Sequence, residues 1–399
     1  MPHQRGVRFA AAIRIVSVRM AALIIGLVGT FVLIAAMVQS MLITRNSKNW
    51  ISSGVISLIR VIAMTPLRWF RTYTARDRWL SGAAPATLLI MLTVYGVLLI
   101  ITLGLAIWGC TDLDFNRALF ESGSTFTTLG IVEPSNASSA AISFVAAFLG
   151  LVVIAIFIGY LMAIYGMYSS RESVMARLST YAGEPGWGPE YLARAATLRR
   201  EIGTAPNAGL LIDWVSELRL NQEMNPVLAQ FRSTGPNRHW LISLLAAMDA
   251  VALRLVMRMS NDVPADIQFV TQGAVTLSEF TNTHGTNWEI QRYIFDVVRG
   301  ESMPAVESTL TDEEWQLGWD EMQAAGLRTA LTSANVRARF ELIRSLYASN
   351  AYKLAKHHHA VRAPWSGERS PETPVIYPMF AGLESNPHEG DAAANRHRG

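Results

Sequence analysis

Apolar residues concentrate in three long runs of this chain, at 20–43, 84–108 and 139–168. Each run is long enough for a helix that crosses hydrocarbon of about 30 Å, which needs roughly 20 residues. Arg14 and Arg19 precede the first run, as in a signal peptide. That run is about twice as long as the apolar part of a typical signal peptide, so we expect it to be retained. The pattern predicts three membrane-spanning helices, the first preceded by an N-terminal segment, 1–19.

The segment 44–83, between the first two runs, is basic. It contains one acid, Asp77, against seven basic residues: Arg45, Lys48, Arg60, Arg68, Arg71, Arg76 and Arg78. Trp50, Leu58 and Ile62 interleave with these, which is typical of an amphipathic helix at a membrane surface. By the positive-inside rule, we expect a cytoplasmic linker here.

The loop 109–138 is acidic, so it suits the outside. The N-terminus then lies outside as well, with the C-terminal part of the chain in the cytoplasm of a multi-pass protein of the cell (inner or plasma) membrane. The alternative is an N-terminus inside and a second crossing near 49–66. That crossing would bury Arg60, which costs about 2.5–3.5 kcal/mol at the centre of a span.

Residues 171–360 mix polar and apolar positions with helical periodicity and predict an all-α cytoplasmic domain. Thr311 and Glu314 form a capping box that would open a helix near Asp312. The apolar stretch 239–253 is shorter than a span and contains Asp249, so we interpret it as a buried core helix. The composition of 361–399 predicts a disordered tail.

The segment 115–132 lies between the second and third apolar runs and has the composition of a pore loop. Residues from Phe115 to about Thr125 can form a short pore helix. Thr127 and Thr128 can then supply oxygens, and Gly130 can take positive φ at little steric cost. Irregular backbone survives at membrane depth only when it is buried in protein or lines a wet cavity. The segment therefore predicts a path for ions.

The stretch Thr125-Phe-Thr-Thr-Leu-Gly130 resembles the pore-loop potassium channel superfamily, whose filter reads Thr-Val-Gly-Tyr-Gly after Thr-x-Thr. More broadly, the chain is similar to bacterial single-pore-loop channel proteins with one N-terminal helix, a basic linker and a helical cytoplasmic domain. Further matches to that group are Gly159-Tyr160, Phe231-Arg232-Ser233 and His239-Trp240. The resemblance implies an all-α membrane protein: one transmembrane helix, a two-helix pore unit at 84–168 and the helical domain.

The resemblance also assigns residues. It places the selectivity filter at Thr127, Thr128, Leu129, Gly130 and Ile131, with K⁺ at the carbonyls of Thr128, Leu129 and Gly130. Ile131 stands where tyrosine is usual, and Val132 replaces the second glycine. Both are β-branched and resist positive φ, so we expect weaker preference for potassium over sodium than a full filter has.

Residues around the filter carry subsidiary predictions. We expect Glu121, Ser124 and Thr125 to support the filter from the pore helix, although Glu121 could equally be a solvated or capping carboxylate. Val132 and Glu133 lie at the predicted filter mouth, where Glu133 could concentrate cations or could equally be a solvated surface acid. Gly150 and Gly159 are candidate hinges of the inner helix 139–168, and close helix packing explains them equally well.

The chain has 399 residues, a net charge of +3 and one cysteine. We find no nucleophile–base pair, zinc spacing, Walker loop or dinucleotide-binding glycine motif, so we expect neither an enzyme, nor a cofactor, nor nucleic-acid binding. The leading hypothesis is a homotetrameric cation channel in the lipid bilayer, with potassium as the permeant ion and gating by the cytoplasmic domain through the inner helix; no cytoplasmic regulator is identified. The alternative is a membrane-anchored helical signalling or scaffold protein with a vestigial pore loop.

Overall fold

The structure, a computed structural model, describes residues 3–41, 50–70, 72–202, 208–283, 287–301, 303–369 and 373–378. In these residues the regular elements are helical. In chain order the α-helices are α1 (His3–Met41), α2 (Trp50–Met64), α3 (Tyr73–Ser81), α4 (Ala83–Cys110), α5 (Phe115–Phe126), α6 (Ala137–Ala182), α7 (Gly188–Ile202), α8 (Ala208–Met224), α9 (Trp240–Val256), α10 (Val263–Phe280), α11 (Asn287–Arg299), α12 (Asp312–Ala324), α13 (Ser333–Arg344) and α14 (Ala348–His357).

The chain forms two compact units. Unit 1 comprises Met1–Leu67, Gly82–Gly166 and Glu223–Val227, and unit 2 comprises Arg68–Ser81, Met167–Gln222 and Leu228–Gly399. Helix α6 contributes residues to both units. It continues past residue 168, where the predicted inner helix ends, and it ends at Ala182. The basic segment 44–83 is likewise divided between the units.

Three apolar stretches are long enough to cross a membrane: Val16–Met41, Tyr73–Cys110 and Ala137–Ala182. They contain the predicted runs 84–108 and 139–168 and residues 20–41 of the first run, whose last two residues lie outside the described residues. The described part of the chain is therefore helical with three candidate spans, as predicted. The helices extend beyond the runs because flanking polar residues continue the backbone hydrogen bonding. The first helix begins at His3, well before residue 20.

Helices α1 and α4 of unit 1 pack antiparallel. Arg19, in the first half of α1, donates to the Asp112 carboxylate just after α4, at 2.6 Å. Farther along α1, the Thr30 hydroxyl bonds to the Thr102 hydroxyl at 2.9 Å. Small and hydroxyl-bearing residues at such contacts let two apolar helices approach and exchange hydrogen bonds. The start of α1 therefore lies at the same end of unit 1 as the end of α4.

Helix α2 is apolar on two faces. Ile51, Val55 and Ile59 are buried and lie on one face of a helix that contacts α4. Leu58 and Val61 are 54% and 63% exposed on the opposite side, where Arg60 is exposed too. The helix therefore has apolar side chains on both sides and only a narrow polar stripe, and its place at a membrane surface stays a prediction.

Unit 2 is built around α9, in which every residue except Arg254 is buried. This confirms the prediction of a core helix at 239–253. Asp249 is tolerated there because Arg344 Nε donates to its carboxylate at 3.0 Å and the Tyr347 hydroxyl donates at 2.8 Å. The predicted capping box at the start of α12 is also confirmed, since both of its hydrogen bonds form.

The predicted start of a disordered tail at 361 is wrong for residues 361–369. Val361 and Trp365 are buried, and the Trp365 ring lies 5.9 Å from those of Trp187 and Trp315. Composition missed this because one large aromatic side chain anchors a segment that is otherwise polar and rich in Pro and Gly. Farther along the predicted tail, Ile376 N–H donates to the Arg362 carbonyl at 2.9 Å, so residues 373–378 also pack on the unit. Residues 370–372 and 379–399 lie outside the described residues.

Candidate functional site

The short helix α5 is held between the two long helices α4 and α6. The Ser122 hydroxyl donates to the Ile100 carbonyl of α4 at 2.9 Å. On the other side, the Ser143 hydroxyl of α6 donates to Glu121 Oε1 at 3.2 Å. These are hydrogen bonds between elements in a region with little other polar contact, so they fix the position of α5.

The end of α5 meets α6 by backbone contact. A Cβ atom at Gly150 would lie 2.0 Å from the Phe126 carbonyl oxygen, so only glycine fits there. Gly150 lies 13 residues after Ala137, the first residue of α6, which places the end of α5 about 20 Å along that helix. Of the two interpretations of Gly150, a hinge or close helix packing, the contact favours close packing. A Cβ at Gly159 would meet open space, so packing does not explain that glycine.

The backbone turns sharply at the end of α5. Thr128 N–H donates to the Thr125 carbonyl at 2.9 Å, and Leu129 N–H donates to the Ser124 carbonyl at 2.8 Å. This pair of bonds is the Schellman arrangement, in which the residue after the helix takes a left-handed conformation. Thr128 occupies that position with φ of 59°, where glycine is usual. Since threonine is β-branched, the conformation costs about 1–3 kcal/mol.

Ser124 accepts hydrogen bonds from the backbone N–H groups of three residues that follow it. Its carbonyl accepts Gly130 N–H at 3.2 Å as well as Leu129 N–H, and its hydroxyl accepts Ile131 N–H at 2.9 Å. Gly130 has φ of +66°, the conformation expected of it from the sequence. Ser124 therefore turns three successive N–H groups back towards α5.

The carbonyl oxygens of this segment have no such partners. Within the described residues, no hydrogen-bond donor reaches the carbonyls of residues 127–131. The segment is also exposed, with Leu129 at 64% and Ile131 at 59%. The carboxyl end of α5, which carries the negative end of the helix dipole, points into it. Unpaired carbonyls beside a negative dipole end can coordinate a cation.

The structure places the remaining predicted residues as follows. Val132 is half-buried and Glu133 is exposed. Glu121 is fully buried, which excludes the solvated interpretation, and among the described residues only its Oε1 has a partner. Ser124 and Thr125 both bond to the turn.

Two participants were missed from the sequence, Ser122 and Ser143, which anchor α5. Thr128 was predicted as a filter residue, but its left-handed conformation was expected of Gly130 alone. A serine at every second position of Ser122-Gly-Ser124 was the available signal, because small polar residues favour close contacts between apolar helices. No signal in the sequence indicated the strain at Thr128, since the local sequence does not specify where α5 ends.

Comparison with protein-family models, with curated proteins and with solved structures found no match for this chain.

Proposed function

We propose that this protein is a cation channel that conducts potassium and is assembled from four copies around a central axis. The observation that carries the proposal is the segment 127–131. The N–H groups of residues 129–131 donate to Ser124, while the carbonyls of residues 127–131 lack donors in the described chain. A potassium filter consists of rings of such carbonyls, each ring contributed by four subunits.

The exposed surface of unit 1 supports assembly. One copy of the segment cannot surround an ion, and its side chains Leu129 and Ile131 are exposed together with Phe144 and Phe148 of α6, which are 77% and 67% exposed. In the proposed tetramer these residues contact neighbouring copies or lipid. The segment is then covered by protein, as irregular backbone at membrane depth must be.

Within the proposed pore, each residue has a specific role. The carbonyls of Thr128, Leu129 and Gly130 coordinate K⁺, and the Thr128 hydroxyl faces the inner mouth. Glu133, exposed beyond the filter, raises the local cation concentration. Helix α6 lines the cavity and continues to Ala182, so the helical unit 2 can bias the gate through one unbroken helix.

The same proposal includes the topology. Because α1 and α4 are antiparallel, the start of α1 lies on the side of Asp112 and the loop after it. We infer that this side is outside, that the N-terminus is there too, and that the basic segment 44–83 and unit 2 are cytoplasmic.

The test is potassium flux from the purified chain in liposomes, compared with Gly130→Val. A Cβ at Gly130 meets open space, so this substitution acts through the positive φ alone. We expect loss of flux with normal insertion and oligomer size. The matched control is Gly54→Val on α2, where a Cβ also meets open space, and it should conduct as the wild type does. Full flux from Gly130→Val would refute the filter assignment.

A second candidate is a membrane-anchored signalling or scaffold protein whose pore loop does not conduct. It is favoured by a cavity of about 640 Å³ in unit 2, lined by Trp315, Arg337 and Glu341 among others. That volume suits a small molecule. A stable oligomer that passes no cation would favour this second function over the first.

A further inference from the structure

The loop 228–233 of unit 2 contacts two helices that are far apart in the chain. It contains the sequence motif Phe231-Arg232-Ser233, which has no role in the proposed filter. One of the two helices is α6. The other is α3, which ends at Ser81, just before α4 begins at Ala83. The loop is therefore attached both to α6 and to the helix that leads directly into α4, and α4 and α6 are the two long helices that hold α5.

Arg171 of α6 holds the start of the loop. Its side chain is 3% exposed, and it donates from Nη1 to the Leu228 carbonyl at 3.1 Å and from Nη2 to the Phe231 carbonyl at 2.8 Å. Glu172 lies 3.5 Å from Nη2 and supplies the opposite charge. A hydrogen bond from an ionised group is roughly twice as strong as a neutral one, so this attachment is firm.

Two side chains of the loop add to the contact with α6. The Ser233 hydroxyl donates to Glu172 Oε1 at 3.0 Å. The centre of the Phe231 ring lies 5.5 Å from that of the Tyr168 ring, a distance typical of an aromatic pair. The first and the last residue of the motif therefore both contact α6.

Arg232, the middle residue of the motif, contacts α3 instead. Its side chain is 6% exposed, and its Nη1 lies 3.5 Å from Oδ1 of Asp77, a buried residue of α3. Nη1 and Nη2 also donate to the His359 carbonyl, at 3.0 and 3.1 Å. Removing one partner of a buried ion pair leaves an uncompensated charge, so Arg232 and Asp77 resist separation. Three consecutive residues thus join α3 to α6.

We propose that the loop 228–233 couples α3 to α6, so that the two helices move together and the loop sets how often the proposed pore is open. Its effect on conduction rests on the proposed channel function. Opening such a pore requires packed helices to shift against each other, and the loop contacts oppose a shift of α6 relative to α3. None of the contacts described above involves residues 127–131, so weakening them should change opening and leave ion selectivity unaltered.

The first test is a double-mutant cycle in single-channel recordings of the full chain in lipid bilayers. Asp77→Asn weakens the contact with α3, and Glu172→Gln weakens the contact with α6. Each should change the ratio of open to closed times by about 2- to 30-fold, with the unitary conductance and the potassium-to-sodium permeability ratio unchanged. Independent effects multiply to within about twofold, whereas we expect the double variant to depart from the product by about threefold or more.

The control cycle combines Asp77→Asn with Asp213→Asn, at an exposed position of α8, and its effects should multiply. If the effects of Asp77→Asn and Glu172→Gln multiply as closely as those of the control pair, the two helices are independent and the proposal is overturned.

The second test does not depend on conduction. Arg232→Met removes the contacts with α3 and His359, and Arg232 has no hydrogen bond to α6 in the described chain. In hydrogen exchange of the full chain, we expect faster exchange in α3 and also at residues 168–175 of α6. Exchange in the core helix α9 reports general unfolding. If it rises too, Arg232→Lys, which keeps the charge, takes the place of Arg232→Met.

Faster exchange in α3 alone would overturn the coupling, whatever the channel recordings show. Faster exchange in both helices, in a chain whose wild type passes no cation, would refute the channel function and leave the coupling in place.

Discussion

The two units differ in how far their apolar residues are buried and in whether their polar groups have hydrogen-bond partners. The candidate spans of α1, α4 and α6 bury only 28–33% of their most apolar windows, whereas α9 of unit 2 buries every residue except Arg254. Hydrophobic composition is high in both places. The difference teaches that unit 2 completes its core within one chain, while the outward surface of unit 1 needs lipid or further copies.

Polar groups give the same contrast. Asp249 of unit 2 lies in an apolar helix and has two donors, Arg344 and Tyr347. The carbonyls of residues 127–131 in unit 1 have none among the described residues. The buried acid in unit 2 therefore has partners within the unit, whereas the proposed function gives the loop of unit 1 a cation as its partner.

The largest effect should come from filling the contact between α5 and α6. In Gly150→Val the new side chain would clash with the Phe126 carbonyl, because the carbonyl oxygen lies 2.0 Å from the position of the new Cβ. Backbone cannot yield as a flexible side chain can, so α5 and the turn after it must move. We expect complete loss of cation flux in liposomes, with the thermal transition of unit 2 unchanged.

Gly166→Val is the control for this substitution, because a Cβ at Gly166 meets open space on the same helix. It should keep its flux. Wild-type flux from Gly150→Val would mean that the position of α5 does not matter for conduction.

Breaking the buried ion pair should affect unit 2 instead. Asp249→Ala leaves the Arg344 charge buried and unpaired, which costs about 3–5 kcal/mol. We expect a Tm lower by about 10 °C or more in calorimetry of the full chain. The double variant Asp249→Leu with Arg344→Met should regain most of the loss, and Asp213→Ala, at an exposed position, should change little. A single variant as stable as the wild type would show that the pair is dispensable.

A smaller effect concerns pH. Burial, and then the neighbouring Glu190, raises the pKa of Glu321 from 4.5 to about 7, against the lowering influence of Arg194. The folded state therefore holds a proton that the unfolded state loses, so stability falls as pH rises between 4.5 and about 7. Glu321→Gln should flatten the pH dependence of Tm across that window. A slope equal to that of the wild type would contradict the raised pKa of Glu321.

The smallest effect is expected at the outer filter. Val132 stands where a full filter has its second glycine, and a β-branched residue resists the positive φ that an outer carbonyl ring requires. Val132→Gly should raise the potassium-to-sodium permeability ratio by a few-fold, measured as a shift in reversal potential. An unchanged ratio in a variant that conducts normally would show that the inner rings alone set selectivity.

The sequence predicted what is local and missed what is long-range. The three apolar runs, the capping box at Thr311 and the core helix around Asp249 follow from periodicity and composition within one segment. The Arg344 partner of Asp249 lies 95 residues away in the chain, and no local pattern indicates it. Trp365 was missed for the same reason, because its contacts with Trp187 and Trp315 exist only in the folded unit.

In the candidate site, too, the features that depend on one residue type were predicted and those that depend on contacts between helices were not. Gly130 was identified because glycine alone takes positive φ cheaply, and that φ is observed. Thr128 was predicted as a filter residue, but its left-handed conformation was not, since that conformation depends on α5 ending at Phe126. Gly150 was noticed as a small residue, but only the contact with the Phe126 carbonyl separates packing from a hinge.

The most direct test of the central claim is the reversal potential of the purified wild-type chain in liposomes under a potassium chloride gradient. If the carbonyls of residues 128–130 form cation rings, the potential should follow potassium and should move little when chloride is replaced by an impermeant anion. A potential that follows chloride, or a conductance no greater than that of empty liposomes from correctly inserted oligomers, would contradict the account.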